Sequence, residues 1–100
     1  MKLSVELSPE AEEDVADAVA WYEKKLSGLG TSFLAEIKRA LELLSDHPES
    51  FPEMRVGVRR SSVRRFTYGI YYRVRNDTVE VIGVFHNRRS PKVWQKRTRN

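Results

Sequence analysis

A length of 100 residues with no break in composition matches one domain, long enough to bury roughly 65% of its unfolded surface without staples. The absence of cysteine excludes a disulfide framework and a thiolate metal site, no run approaches the ~18 apolar residues of a membrane span, and MKLSVELSPE has no apolar stretch behind its lysine. The reading is therefore an unprocessed cytosolic protein, whose net charge of +4 conceals an asymmetry: residues 1–54 hold five Lys/Arg against twelve Asp/Glu (−7), and residues 55–100 thirteen against two (+11).

Residues 3–7, LSVEL, alternate apolar and polar side chains as a half-buried strand does. Ser8 before Pro9, with Glu10, Glu12, Glu13 and Asp14 following, combines an N-cap oxygen, a proline at the first helical position and acids at the positive end of the dipole. The helix that starts there carries Ala11, Val15, Ala18, Tyr22 and Leu26 on one stripe, widened by Val19 and Trp21, and ends near SGLG. Trp21 and Tyr22 are expected in the helix–sheet core. Thr31 or Ser32 caps a second helix with Phe33, Leu34, Ile37, Ala40, Leu41 and Leu44 on one face, closed by His47-Pro48. So short a link makes the two helices a hairpin, and their joined stripes must cover a sheet.

From Val56 onward the chain supplies it, as VGVRRSSV, FTYGIYYRV and TVEVIGVFH. In the second segment Phe66, Tyr68, Ile70, Tyr72 and Val74 point one way, while Thr67, Gly69, Tyr71 and Arg73 point to a wet face. Asn76-Asp77 is a two-residue hairpin turn. In the last segment Val79, Val81 and Phe85 share one face and Ile82 and Val84 the other, so both faces are apolar and a central strand is expected. The order is β-α-α-β-β-β, an α+β fold with a helical hairpin packed on an antiparallel-rich sheet.

The residues that can meet an anion lie in the second half. Arg59, Arg60, Arg64 and Arg65 read either as solvated charge on an exposed turn or as a contact for phosphate or an acidic peptide, which bidentate guanidinium suits. Arg73 with Tyr71 could hold a base or peptide by stacking. His86 reads as a satisfied structural histidine, with general acid or base as the functional alternative. Arg88 and Arg89 follow directly from a strand, which positions them better than a free loop does. Trp94 reads as an anchor docking the tail, with base stacking second. No Gly-rich phosphate loop and no His pair at ligand spacing occur, so neither metal nor organic cofactor is expected.

VRRSSVRRFTYGIYYRV and the run His86-x-Arg88-Arg89-x-Pro91-x-x-Trp94, placed after a helical hairpin, resemble the ParE branch of the RelE/ParE superfamily of bacterial type II toxins. The resemblance covers essentially the whole chain. It implies a microbial ribonuclease-like fold and a protein that arrests growth when free and is silenced by a cognate antitoxin. RelE-like members cleave mRNA in the ribosomal A site with Lys and Arg on the sheet, an Arg after the last strand and a Tyr near the C-terminus. ParE-like members poison DNA gyrase and lack most of those groups. By position Arg88 matches the Arg after the last strand, Trp94 stands where the Tyr falls, and Gly69 lies near a further sheet Arg. An indole cannot exchange a proton and glycine has no side chain, so the resemblance points to gyrase before the ribosome. The antitoxin is expected to combine carboxylates for the +11 half with apolar anchors. A nucleic-acid-binding module that reads backbone is the reading outside the toxin class. Homodimerisation is neither required nor excluded.

Overall fold

A computed structural model describes residues 2–55 and 57–98. Strand β1 (Ser4–Leu7) leads into α1 (Pro9–Lys25) and α2 (Leu29–Asp46), followed by β2 (Glu53–Arg55), β3 (Val58–Ser62), β4 (Tyr68–Arg75), β5 (Thr78–His86) and a short α3 (Lys92–Arg97). The strands form one sheet in the order β1-β5-β4-β3-β2. Among the described residues, only the β1–β5 pairing is parallel. The α+β architecture expected from the sequence is present, extended by the three-residue β2 and by α3, neither of which has a periodic signal long enough to read. Val56, where the sheet segments were expected to begin, lies outside the described residues.

Local chemistry explains the helix ends. Ser8 Oγ accepts from the Ala11 amide at 3.0 Å, with Pro9 opening α1 as expected. The second helix starts earlier than its Thr31 or Ser32 signal. Gly28 takes φ 90°, and the carboxylate of Glu23 accepts from the Gly28 and Gly30 amides at 2.9 and 3.0 Å. A side chain from the preceding helix thus supplies the acceptor that a hydroxyl cap would have given. Gly30 is required there, because a Cβ would lie 2.6 Å from the Val19 carbonyl oxygen.

Between hairpin and sheet lie Ala11, Val15 and Ala18 of α1, Phe33, Ile37, Ala40 and Leu44 of α2, and Ile70, Tyr72, Val79, Val81 and Val84 of the sheet. Tyr22, Phe33, Phe66 and Tyr68 pack edge-to-face or tilted, with ring centroids 4.9–5.9 Å apart. Trp21 does not join them. It is 53% exposed, because Tyr22 already occupies the inward position and the adjacent residue on a helix turns about 100° away.

The last strand is central, as expected, but its faces are redistributed. Tyr71 pairs with Gly83 and Tyr72 with Val81, so Ile82 is an extra residue, a β-bulge. The bulge reverses the alternation beyond it. Val79, Val81 and Val84 face the helices, whereas Ile82 and Phe85 face the other side, with Val58 and Trp94. That other side is not the wet face expected. Trp94 of α3 is 4% exposed and stacks on Tyr71 at 5.4 Å and 20°. A six-residue helix is unstable alone, so burial of this indole, worth roughly 1.5–3 kcal/mol, holds it in place.

Tyr72 is fully buried and donates its hydroxyl proton to the Pro48 carbonyl, where α2 gives way to the loop. Burial raises its pKa to about 12, opposed by the Arg59 charge. The neutral phenol is favoured in the folded state, so this contribution is complete below pH 10, where the unfolded chain also holds the proton. It is lost as pH rises from 10 through 12, by up to about 3 kcal/mol. Urea midpoints measured across that range should fall steeply for the native chain and more shallowly for Tyr72→Phe, which should also lose about 1 kcal/mol at neutral pH.

Candidate functional site

The cations of the second half occupy both faces of the sheet and one of its edges. The edge is that of β5 beyond the point where β1 stops. Leu7 pairs with Val81 as the last register of the parallel pair, and the Ser8 amide donates to the Val81 carbonyl. Further along, Asp14 Oδ2 accepts from the Val84 amide at 3.0 Å, and Arg97 donates to the Ile82 carbonyl at 3.1 Å. Arg97 also grips Asp14 at 2.7 and 3.2 Å in a fork. Two side chains thereby replace the missing strand partner and fasten α3 to α1. Gly83 leaves the space this needs, since a Cβ would lie 2.5 Å from the Phe85 ring and 2.8 Å from Arg97 Nη1.

On the face away from the hairpin, Arg60 reaches across from β3. Its guanidinium lies over Gly69, where a Cβ would come within 2.4–2.6 Å, and 5.7 Å from the Tyr71 ring centroid. It donates to Asn87 Oδ1, and to Ser62 Oγ at 3.1 Å. Arg73 shares this face but is committed. With Arg75 it binds Glu80 Oε1 at 3.1 and 3.2 Å. Arg59 instead donates to the Phe51 carbonyl at 2.7 Å.

Arg88 and Arg89 lie in a cleft on the α1 side with Asp14, Asp17, Trp21, Tyr68 and His86. Arg89 also sits 5.3 Å from the Phe85 ring centroid. His86 lies in the cleft as a constrained group: Nδ1 accepts from the Arg88 amide at 3.1 Å, and Nε2 lies 2.9 Å from Thr67 Oγ1. The amide contact sets the tautomer with the proton on Nε2, which leaves Thr67 Oγ1 as acceptor. Tyr68 packs edge-on against this ring at 5.4 Å. Its pKa is raised, first by burial and then by Tyr22 and Asp14, against the lowering effect of Arg89.

Arg64 and Arg65 form the β3–β4 turn, in which the Phe66 amide donates to the Val63 carbonyl and Arg65 takes φ 71°. Arg65 is held by the buried Glu36 at 3.8 Å, while Arg39 approaches the other carboxylate oxygen at 3.5 Å. The expected residues therefore separate into an Arg60–Tyr71–Trp94 group, an Arg88–Arg89–His86 group, and singly placed Arg59, Arg64, Arg65 and Arg73. Among the described residues Arg60, Arg64, Arg88 and Arg89 form no ion pair with an acid. Asp14 and Glu36 were not singled out from the sequence. Asp14 reads there as one more first-turn acid and Glu36 as one more polar helix position, and each meets its partner only through tertiary packing.

The family model of the ParE toxin of type II toxin–antitoxin systems, parDE, matches residues 5–91. The chain belongs to the ParE toxin family. A search of the curated proteins finds no significant match. Among solved structures, a chain of the chromosomal ParDE toxin–antitoxin system of P. aeruginosa superimposes with a TM-score of 0.76 at 15% identity, covering 85% of this chain and 96% of that one. A chain of the RelBE2 toxin–antitoxin complex of Mycobacterium tuberculosis gives 0.58 at 25% identity, covering 86% and 99%. The ParE match takes in the Arg60 group's sheet residues and Arg88 and Arg89, and stops before α3.

In this ParE family member the Asp14–Arg97 fork should hold the tail. Asp14→Ala leaves a half-buried guanidinium and the Val84 amide without their acceptor and should cost about 2–4 kcal/mol. Trp94 emission in a Trp21→Phe background should shift red well before global unfolding, and an unchanged profile would show that the tail is held by the indole alone.

Proposed function

We propose that this ParE family toxin arrests bacterial growth by binding DNA gyrase and is neutralised by a cognate antitoxin whose segment combines carboxylates with apolar side chains. The observation that supports binding over cleavage is that the proton carriers beside its free cations are already engaged or hold their protons tightly. Attack of a 2′-hydroxyl on its phosphodiester needs a group to take that proton, another to protonate the leaving oxygen, and cations around the developing charge. The cations are present. Beside Arg88 and Arg89, His86 has both ring nitrogens engaged, and Tyr68 keeps its proton more tightly than a free phenol, which suits it poorly as a base. On the opposite face Trp94 is buried against Tyr71, and Glu80 is neutralised by Arg73 and Arg75. Without general acid–base help a cleavage rate falls by ~10²–10⁴-fold.

The second reading, a ribosome-dependent mRNA endoribonuclease, is favoured by one feature: the phenol and the imidazole stand in the same cleft as two unpaired arginines. Two assays with purified protein separate the readings. Supercoiling by gyrase should be inhibited, and primer extension on translating ribosomes should show no codon-phased cuts. Cuts with untouched supercoiling would reject the gyrase proposal and make His86 and Tyr68 the residues to mutate. Nucleic-acid retention with neither effect and no growth arrest would leave the plain binding module.

Arg88→Ala should remove most growth arrest on induction with little loss of stability, because its side chain is exposed and unpaired. Arg59→Ala should weaken arrest less, since that guanidinium already serves the Phe51 carbonyl. Colony counts after induction, with circular dichroism to verify folding, measure both. Full toxicity of folded Arg88→Ala would take Arg88 out of the site.

A further inference from the structure

The cleft beside α1 has a cationic mouth set on a fixed turn. Where the chain leaves β5, the Arg89 amide donates to the His86 carbonyl at 2.9 Å and the Asn87 amide donates to the Thr67 carbonyl at 2.8 Å. Arg88 and Arg89 therefore start from a held backbone, and neither guanidinium meets a carboxylate among the described residues. Asp14 lines the same cleft without cancelling them, because Arg97 and the Val84 amide already hold it. The mouth keeps its positive charge for an anion from outside.

The opposite wall is a stripe of α1. Ala18 is small and buried, and Asp17 and Trp21 stand four residues apart, so they share a helix face with the indole leaning back toward the carboxylate. Lys25 Nζ lies 4.8 Å from the centroid of the Trp21 ring, and the exposed remainder of that ring is a flat stacking surface. The Asp17 carboxylate forms no ion pair among the described residues. Between the walls stands Tyr68, beside the His86 ring. The cleft holds about 510 Å³, within the range of small-molecule and cofactor sites.

We propose that this cleft binds a guanine nucleotide, with the base on Trp21, its Watson–Crick edge at Asp17 and its phosphate at Arg88 and Arg89. Stacking on an indole suits any base, so the wall alone gives affinity without choice. Asp17 supplies the choice. Guanine carries an N1–H and a 2-amino group side by side, two donors that one carboxylate accepts as a fork, whereas adenine has an acceptor at N1 and no 2-amino group. Guanidinium groups in turn take phosphate oxygens two at a time. A free nucleotide and a guanine in a single strand present the same chemistry. The site shares Arg88 with the toxin reading above but does not rest on it.

The probe is GMP, titrated into the full chain labelled for NMR, with AMP, guanosine and inorganic phosphate in parallel. Saturable shifts should centre on the Trp21 indole N–H, the Tyr68 ring and the Arg88 and Arg89 amides. GMP should bind about tenfold or more tighter than AMP or guanosine. Trp21→Ala should weaken GMP about tenfold or more, Asp17→Asn should remove the preference over AMP, and Arg88→Gln should remove the preference over guanosine. All three positions are exposed, so thermal midpoints should verify an intact fold, and Lys38→Gln, an exposed cation on α2, should leave GMP binding unchanged. A thymine octamer carrying one central guanine separates the sources: tighter binding than GMP assigns the site to a single strand, and equal or weaker binding assigns it to the free nucleotide. Absence of saturable shifts, equal shifts from inorganic phosphate alone, or a preference over AMP that survives Asp17→Asn overturns the proposal. GMP binding by a chain that leaves supercoiling untouched keeps this site and loses the gyrase reading.

Discussion

The burial of β5 on both faces is the constraint on which the other elements depend. A strand in that position needs apolar cover on two sides and hydrogen-bond partners along two edges. The helical hairpin covers one face through Val79, Val81 and Val84. The other face would be left to solvent by the hairpin alone, and the bulge at Ile82 enlarges the problem by turning Ile82 and Phe85 onto it. Trp94 solves it from the C-terminal tail, and the Asp14–Arg97 fork closes the remaining edge. Tail docking thus completes the cover of β5, and Gly83 is the position that makes room for it.

The same geometry sorts the charge of the second half. Electrostatic pressure from thirteen cations against two acids would disfavour a single cluster, and the fold distributes them. Some become structural by pairing with acids of the first half, as Arg97 does with Asp14 and Arg65 with Glu36. Others serve the sheet, as Arg73 and Arg75 do by sharing Glu80. Among the described residues, Arg88 and Arg89 beside α1, Arg60 on the opposite face and Arg64 in the β3–β4 turn form no ion pair with an acid.

Glycine at position 69 illustrates how a position without a side chain can leave no void on a surface. The space over Gly69 is filled by Arg60 from the neighbouring strand, so a guanidinium is present on the face, but one that arrives from β3 and is anchored by Asn87 and Ser62.

By itself the sequence determined the elements whose periodicity extends over several turns or residues: both helices, the capping of α1 by Ser8 and Pro9, the Asn76-Asp77 turn with φ 53° and 58°, and the central place of β5. It also showed Trp94 as an anchor and, through its motif, the family. Each of these rests on interactions between residues near in the chain, or on a composition that only one environment tolerates. Tertiary structure alone decided the start of α2, which depends on Glu23 reaching back over Gly28 and Gly30. It decided the faces of β5, because one bulged residue inverts every later side chain, and the exposure of Trp21, because a neighbour had taken the inward position. It also decided which arginines are free. A guanidinium looks the same in sequence whether its carboxylate lies 83 residues away, as with Arg97 and Asp14, or whether none approaches it at all.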